Sequence, residues 1–174
     1  MADTGRGTST VAGKYLTFAL AGEHYGVEIL KVIEIIGVMN ITRVPRCPAY
    51  MNGVINLRGK IIPVIDLRSK FGMERGTYDE RTCTIIVTVH LNGQHIAIGM
   101  IVDTVLEVVE FDASKVEPPP EFGVNLDTRF ILGMGRGQSD QVIILTDIDR
   151  IFAEGEGHAL SNAATVEGIP ALPA

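Results

Sequence analysis

Nothing narrows the folding options of this chain more than an internal repeat. The segment LAGEHYGVEILKVIEII (Leu20 to Ile36) lies over LNGQHIAIGMIVDTVLEVV (Leu91 to Val109). Leu20, Gly22, His24 and Val27 fall on Leu91, Gly93, His95 and Ile98 at a constant offset, and Glu34 meets Glu107 after a two-residue insertion. Farther along, GVINLRGKIIPVIDLRSKF (Gly53 to Phe71) lies over GMGRGQSDQVIILTDIDRIF (Gly133 to Phe152). Here Gly53 falls on Gly133, Asp66 on Asp147, Leu67 on Ile148 and Phe71 on Phe152. Matches in this order indicate duplication. The expected organisation is one domain over 14–152, made of two subdomains at about 14–71 and 82–152.

Each copy opens with a hairpin. Asn92-Gly93 is a favoured two-residue loop because both positions tolerate positive φ. With that loop Leu91 opposes Gln94, Val89 faces Ile96, Val87 faces Ile98 and Ile85 faces Met100, all on one side of the ribbon. Ala21-Gly22 as the first loop places Phe18 opposite Tyr25 and Leu16 opposite Val27 in the same way. The following runs, Val32 to Val38 and Val105 to Phe111, are rich in Val and Ile, and no helix-period stretch exceeds about ten residues. Each copy closes on a short helix, over Asp66–Phe71 and over Thr146–Phe152, with Thr146 expected as an N-cap. A helical turn is expected near Pro48. Pro63 cannot donate to a ladder, so the strand from Lys60 to Ile65 presents an edge or a bulge there. Val116–Glu121 reads as a stiff extended connector. Before Lys14 and after Ala153 the composition turns to Gly, Ala, Ser and Glu without periodicity, and both tails are expected to be disordered. The pattern is that of small antiparallel barrels.

The charge of −6 comes from 15 basic and 21 acidic residues, interspersed along the chain. No basic stripe exists to neutralise phosphates, so nucleic acid is not an expected partner. Met1 leads into polar, Gly-rich sequence, and no apolar run approaches the roughly 18 residues needed to span a bilayer. A cytoplasmic protein with no direct membrane insertion is expected, with Cys47 and Cys83 as two buried free thiols.

Catalysis needs a convergent nucleophile, base and charge stabiliser. His90 and His95 oppose each other across the Asn92-Gly93 loop, but their neighbours Thr88 and Ala97 offer no further metal ligands. Gly133–Gly137 is followed by Gln-Ser-Asp and a strand, where a phosphate cradle would need a helix; it reads as a hairpin loop. Asp147 and Asp149 stand too close together on one short helix for an acid–base pair, and capping accounts for them. There is no Walker motif, nucleophile elbow or HExxH. The expectation is a protein that is not an enzyme and uses no cofactor or metal. What remains is surface recognition. Val32-Ile33-Glu34-Ile35-Ile36 carries apolar residues on both faces around one carboxylate, and Arg58 stands at the tip of the apolar hairpin Gly53–Leu67. An arginine there has no evident structural need and can anchor a partner's carboxylate or aromatic ring. Two small barrels side by side leave a groove, whose lining could equally be inter-barrel core.

The runs YGVEILKVIEII, GVINLRGKIIPVIDLRSKF, IGMIVDTVLEVV, EPPPEF and VIILTDIDRIF together resemble the CheW-like domain family of bacterial chemotaxis, over about Lys14 to Phe152. The resemblance implies an all-β fold of two five-stranded SH3-like barrel subdomains with short helices. It implies a non-enzymatic adaptor that ties the CheA histidine kinase, through the kinase's own CheW-like regulatory domain, to the cytoplasmic tip of methyl-accepting chemoreceptors. Carried over by motif, the receptor-binding groove includes Leu16, Ile29, Val32, Thr84 and Val105, and kinase coupling involves Val32, Glu34, Gly53 and Arg58. Members of this family also occur inside the kinase and fused to receiver domains. No ATPase motif or receiver-type aspartate cluster is present, so a stand-alone adaptor is expected. The alternatives are a module of another chemosensory pathway, or a barrel that holds a small ligand as sensor or enzyme.

Overall fold

The computed structural model describes residues 11–119 and 129–153. The expected disordered tails lie outside these residues except for 11–13, as do Pro120 and Glu121 of the connector. Among the described residues are eleven strands: β1 (Gly13–Leu20), β2 (Glu23–Glu28), β3 (Val32–Gly37), β4 (Met51–Leu57), β5 (Lys60–Asp66), β6 (Cys83–Leu91), β7 (Gln94–Val102), β8 (Thr104–Phe111), β9 (Val116–Glu117), β10 (Ile131–Arg136) and β11 (Val142–Thr146). Two short helices follow β5 and β11, α1 (Leu67–Lys70) and α2 (Ile148–Ile151). A six-stranded sheet runs β8-β1-β2-β11-β10-β9, and a five-stranded sheet runs β3-β6-β7-β5-β4. The fold class is the expected one, mostly strand in two sheets with few short helices. No helix among the described residues is long and apolar enough to cross a membrane.

Hairpin chemistry set the registers. Ala21-Gly22, Arg58-Gly59 and Asn92-Gly93 all take positive φ at both loop positions, the geometry whose twist matches that of the flanking strands. Phe18 opposes Tyr25 and Leu16 opposes Val27; Val89 opposes Ile96, Val87 opposes Ile98 and Ile85 opposes Met100.

The contiguous halves of the sequence, however, are not the units of folding. The β1–β2 hairpin of the first copy stands in one sheet with β8–β11 of the second, and the β6–β7 hairpin of the second copy stands with β3–β5 of the first. Four ladders make the exchange, the antiparallel β1 with β8 and β3 with β6, and the parallel β2 with β11 and β5 with β7. The reason lies in the hairpins, which are apolar on both faces. Leu16, Phe18, Leu20, Ile85, Val87 and Val89 face a large core between the sheets. Tyr15 faces a small cluster with Phe111, Ile143 and Leu145 that belongs to the six-stranded sheet alone. Ile86 faces another, with Ile55, Ile62, Val64 and Ile101, that belongs to the five-stranded sheet. Each fully buried side chain of this size contributes roughly 1.5–3 kcal/mol, and a hairpin left in its own half would bury only one of its faces.

Each sheet curls until its edges approach. Ile36 of β3 and Leu57 of β4, from opposite edges, pack against the same cluster. The chain beyond β3 then closes the gap where Thr42 and Val54 exchange backbone hydrogen bonds of 2.9 and 2.8 Å. In the other sheet β9, one short turn after β8, pairs with β10. The two matched glycines sit at these closures. Gly53 has φ of +143°, and a Cβ there would lie 2.8 Å from the Thr42 carbonyl carbon and closer still to its oxygen. A Cβ on Gly133 would lie 3.0 Å from the Glu117 carbonyl oxygen. Both glycines border a register shift in their hairpins.

Other expectations need correction. Gly133 and Gly135 lie within β10 and not in a loop, because the Glu117 backbone and the Phe111 ring crowd the space their side chains would fill. The cap of α2 is Asp147, which accepts from the Asp149 and Arg150 N–H groups; Thr146 is buried in β11, where its hydroxyl donates to the Gly26 carbonyl at 2.8 Å. Asp66 caps α1 in the same way, accepting from Ser69 N–H. Val116 and Glu117 of the connector form β9. The turn at Pro48 is a single one, closed by the Met51 N–H on the Pro48 carbonyl at 3.0 Å. Pro63 lies where β5 pairs with β4 but not yet with β7, whose ladder starts at Val64. The two thiols are half-buried and free.

Two ion pairs tie the halves across the exchange, Arg68 of α1 to Asp103, and Lys31 to Asp149 of α2 at 3.0 Å. Burial acts to raise the Asp103 carboxyl, but hydrogen bonds from the Arg68 guanidinium and the Ala21 N–H outweigh it and hold the group below the ordinary aspartate value. A carboxylate with a depressed folded pKa contributes stability that is present above its unfolded value, near 3.9, and lost as pH falls through the folded one. Urea unfolding at pH 7 and pH 3 should therefore show the wild type more stable than Asp103→Asn at pH 7, with the difference shrinking below about pH 4. The closure predicts a second contrast. Gly53→Ala should lose about 2 kcal/mol or more, whereas Gly37→Ala, with open space around it and no positive φ, should stay within about 0.5 kcal/mol in the same assay.

Candidate protein-binding surface

Among the described residues, the two most exposed large apolar side chains, Leu30 and Ile33, lie in the turn before the edge strand β3 and on β3 itself. Leu30, in the turn Ile29–Lys31, is 91% exposed, and Ile33 and Ile35 stand out from β3 beside it. Val38 and Met39 continue the row. Strand β3 pairs with β6 on one side. Its other side belongs to no named strand, so the row lies along an open edge. Contiguous apolar surface of this kind marks an interaction site more often than an accident of composition. On β8, the counterpart of β3 in the other sheet, Leu106 and Val108 are exposed too.

At the far side of β3 the structure brings together two residues that the sequence had offered separately. Arg58 donates to the Glu34 carboxylate, joining the tip of the β4–β5 hairpin to β3. Asn56 holds the tip, its side-chain oxygen accepting from Gly59 N–H at 2.9 Å. Arg58 takes φ of +51°, a region that Asn or Gly enters at less cost. The arginine is thus not a lone charge at the tip: within the fold it is paired with Glu34. The Arg58 side chain nonetheless remains 69% exposed while that of Glu34 is 27% exposed, so the pair presents its cationic partner to solvent.

The remaining candidates divide. Ile29, Val32 and Val105 are half-buried and pack on the rim of the inter-sheet core, where a partner can touch them. Leu16 and Thr84 do not line an open groove; at 3% and 2% exposure they lie inside, since β1 and β6 are interior strands of their sheets. Gly53 is likewise buried, and its place is explained by the Thr42 backbone that passes it. Sequence reasoning singled out β3 for its apolar residues at both parities. It missed Leu30, which looked like one more residue of an apolar run.

No acid–base or metal chemistry gathers elsewhere among the described residues. The buried carboxylate Asp66 is engaged through both oxygens, accepting from Ser69 N–H at 3.1 Å and from the Tyr78 hydroxyl at 2.6 Å. Burial, reinforced by that hydrogen bond, pushes the Tyr78 phenol up to about 12. The His90 and His95 rings stand 4.7 Å apart and exposed, and no group of three or more potential metal ligands occurs among the described residues.

Fold and surface together define an all-β binding module of two interlocked sheets with an apolar edge. A profile of the CheW-like domain matches residues 14–156. Chemotaxis protein CheW of Klebsiella aerogenes is 39% identical over 155 residues, covering 89% of this chain and 90% of its own. Chemotaxis protein CheW of Treponema pallidum is 32% identical over 147 residues, 84% of this chain and 86% of its own. The crystal structure of the scaffolding protein TtCheW from Thermoanaerobacter tengcongensis superposes with a TM-score of 0.72 at 38% identity, over 85% of this chain and 97% of that one. The chain belongs to the CheW-like domain family.

An ion pair with one exposed partner is worth at most about 1 kcal/mol. A double-mutant cycle on Arg58→Ala and Glu34→Gln should accordingly give a coupling below about 1 kcal/mol in urea unfolding; a larger value would mean that the pair serves the fold and not the surface.

Proposed function

We propose that this protein is a non-enzymatic chemotaxis adaptor that couples methyl-accepting chemoreceptors to the CheA histidine kinase in signalling arrays. It works in the cytoplasm and reaches the membrane only through its partners. The observation that carries this reading is the exposed apolar edge at β3, ending on the Glu34–Arg58 pair, in a chain whose relatives bear the names chemotaxis protein and scaffolding protein. The kinase's regulatory domain takes the β3 end, meeting Val32 and Glu34 with Arg58 as the cationic anchor. Gly53 acts indirectly, by letting β4 close under that surface. The helical tip of the receptor takes the rim of the inter-sheet core at Ile29, Val32 and Val105. Leu16 and Thr84 act from beneath by setting the shape of the rim. Such an adaptor transmits a signal by holding two proteins in fixed geometry, and a rigid pair of sheets with a shared core suits that task.

A charge placed on an apolar contact costs roughly 1–3 kcal/mol or more, about tenfold or more in affinity. Calorimetric titration should show Val32→Glu weakening binding of both the kinase's CheW-like domain and a receptor-tip fragment, and Arg58→Ala weakening binding of the kinase domain, each by about tenfold or more, with circular dichroism spectra unchanged. Because Val32 also packs on the core rim, the exposed Ile33→Glu serves as a second variant. Normal affinities and normal receptor control of kinase activity in all three would overturn the assignment.

A further inference from the structure

The two sheets treat one equivalent carboxylate differently. Glu34 lies at the register shift of β3 against β6, and Glu107 lies at the register shift of β8 against β1, opposite Thr17. The Thr17 hydroxyl donates to the Glu107 carbonyl at 2.6 Å and accepts from the Glu107 N–H at 3.1 Å, which pins the bulge. Bulges re-aim side chains, often toward sites. In the five-stranded sheet the carboxylate meets an arginine at the tip of the β4–β5 hairpin. In the six-stranded sheet the corresponding tip, between β10 and β11, brings Gln138 and Gln141 instead, and among the described residues Glu107 makes no ion pair. Between them lies a cavity of about 370 Å³, lined by Thr17, His24, Leu106, Glu107, Gln138 and Gln141.

We infer that this mouth of the six-stranded sheet is a docking site for an arginine at the tip of a turn in another protein, with Glu107 taking toward it the part that Glu34 takes toward Arg58. The chemistry fits. A guanidinium has five donors and no acceptor, and the residues lining the mouth include one carboxylate, Glu107, two amides, Gln138 and Gln141, and Leu106 for the aliphatic stem. The volume accommodates the backbone of a turn as well as one head group, which favours a protein-borne cation over a free one. The acidic balance of the chain, −6 overall, favours the approach of a cation.

The test uses the intact, isotopically labelled chain and two cyclic peptides that differ only at the tip, one with Arg-Gly and one with citrulline-Gly, which keeps the shape and removes the charge. The Arg-Gly peptide should shift amide resonances at residues 17, 24, 106–107 and 137–141. The citrulline peptide, and the Arg-Gly peptide titrated into Glu107→Gln, should bind at least tenfold more weakly. Glu107 is exposed, so this variant should melt like the wild type. Glu34→Gln, in the other sheet, should bind the Arg-Gly peptide unchanged. Absent shifts at the mouth, equal binding of the citrulline peptide, equal binding to Glu107→Gln, or equal weakening by Glu34→Gln would each overturn the inference. So would agmatine binding as tightly as the Arg-Gly peptide, which would make the mouth a site for a free small cation. Variants at Val32 or Arg58 that lose kinase or receptor binding should leave this titration unaltered, so the two readings fail separately.

Discussion

Two hairpins, exchanged between the halves of the chain, hold everything else in place. Because β1–β2 and β6–β7 are apolar on both faces, each must be covered twice, once by its own curled sheet and once by the other hairpin. That requirement creates the shared core between the sheets. It also couples the two sheets so that neither half of the chain can complete a sheet without the other. The ion pairs Arg68–Asp103 and Lys31–Asp149 add little energy beside such burial, but they fix how the halves meet at the points of exchange.

The same exchange decides where the molecule can be touched. With the hairpins in the middle of their sheets, β3 is left at an edge, and so is β8. Edge strands with exposed apolar residues tend toward uncontrolled pairing, and here both edges carry a bulge and a carboxylate. In one sheet Arg58 answers the carboxylate; in the other the place opposite Glu107 is a cavity. A duplicated architecture has thus yielded two unlike surfaces.

How far residues could be read in advance depended on the range of the forces acting on them. Asn92-Gly93 announced its turn, since tolerance of positive φ at both positions is a local matter, and fixed every pair above it; Ala21-Gly22 was placed by its match to that hairpin, because alanine by itself does not favour positive φ. The aspartates matched by the repeat, Asp66 and Asp147, proved to be equivalent caps. Thr146 misled because a threonine before a helix caps well in general, whereas here its hydroxyl serves the parallel contact with β2. Gly133 and Gly135 misled because a glycine-rich string reads as a loop unless one knows that Val116, Glu117 and Phe111 crowd against it. Leu16 and Thr84 carried no local sign of being interior, since their depth depends on which strands flank β1 and β6.

Short-range chemistry in the chain was enough to specify strands, turns, registers and the fact of duplication, because each depends on φ/ψ preferences and a two-residue period that neighbours can express. Partnership between distant segments was decided only by the folded whole. The reciprocal placement of the hairpins, the meeting of Glu34 with Arg58 and the cavity beside Glu107 all depend on which apolar faces find cover, and that is settled by burying both sides of two hairpins at once.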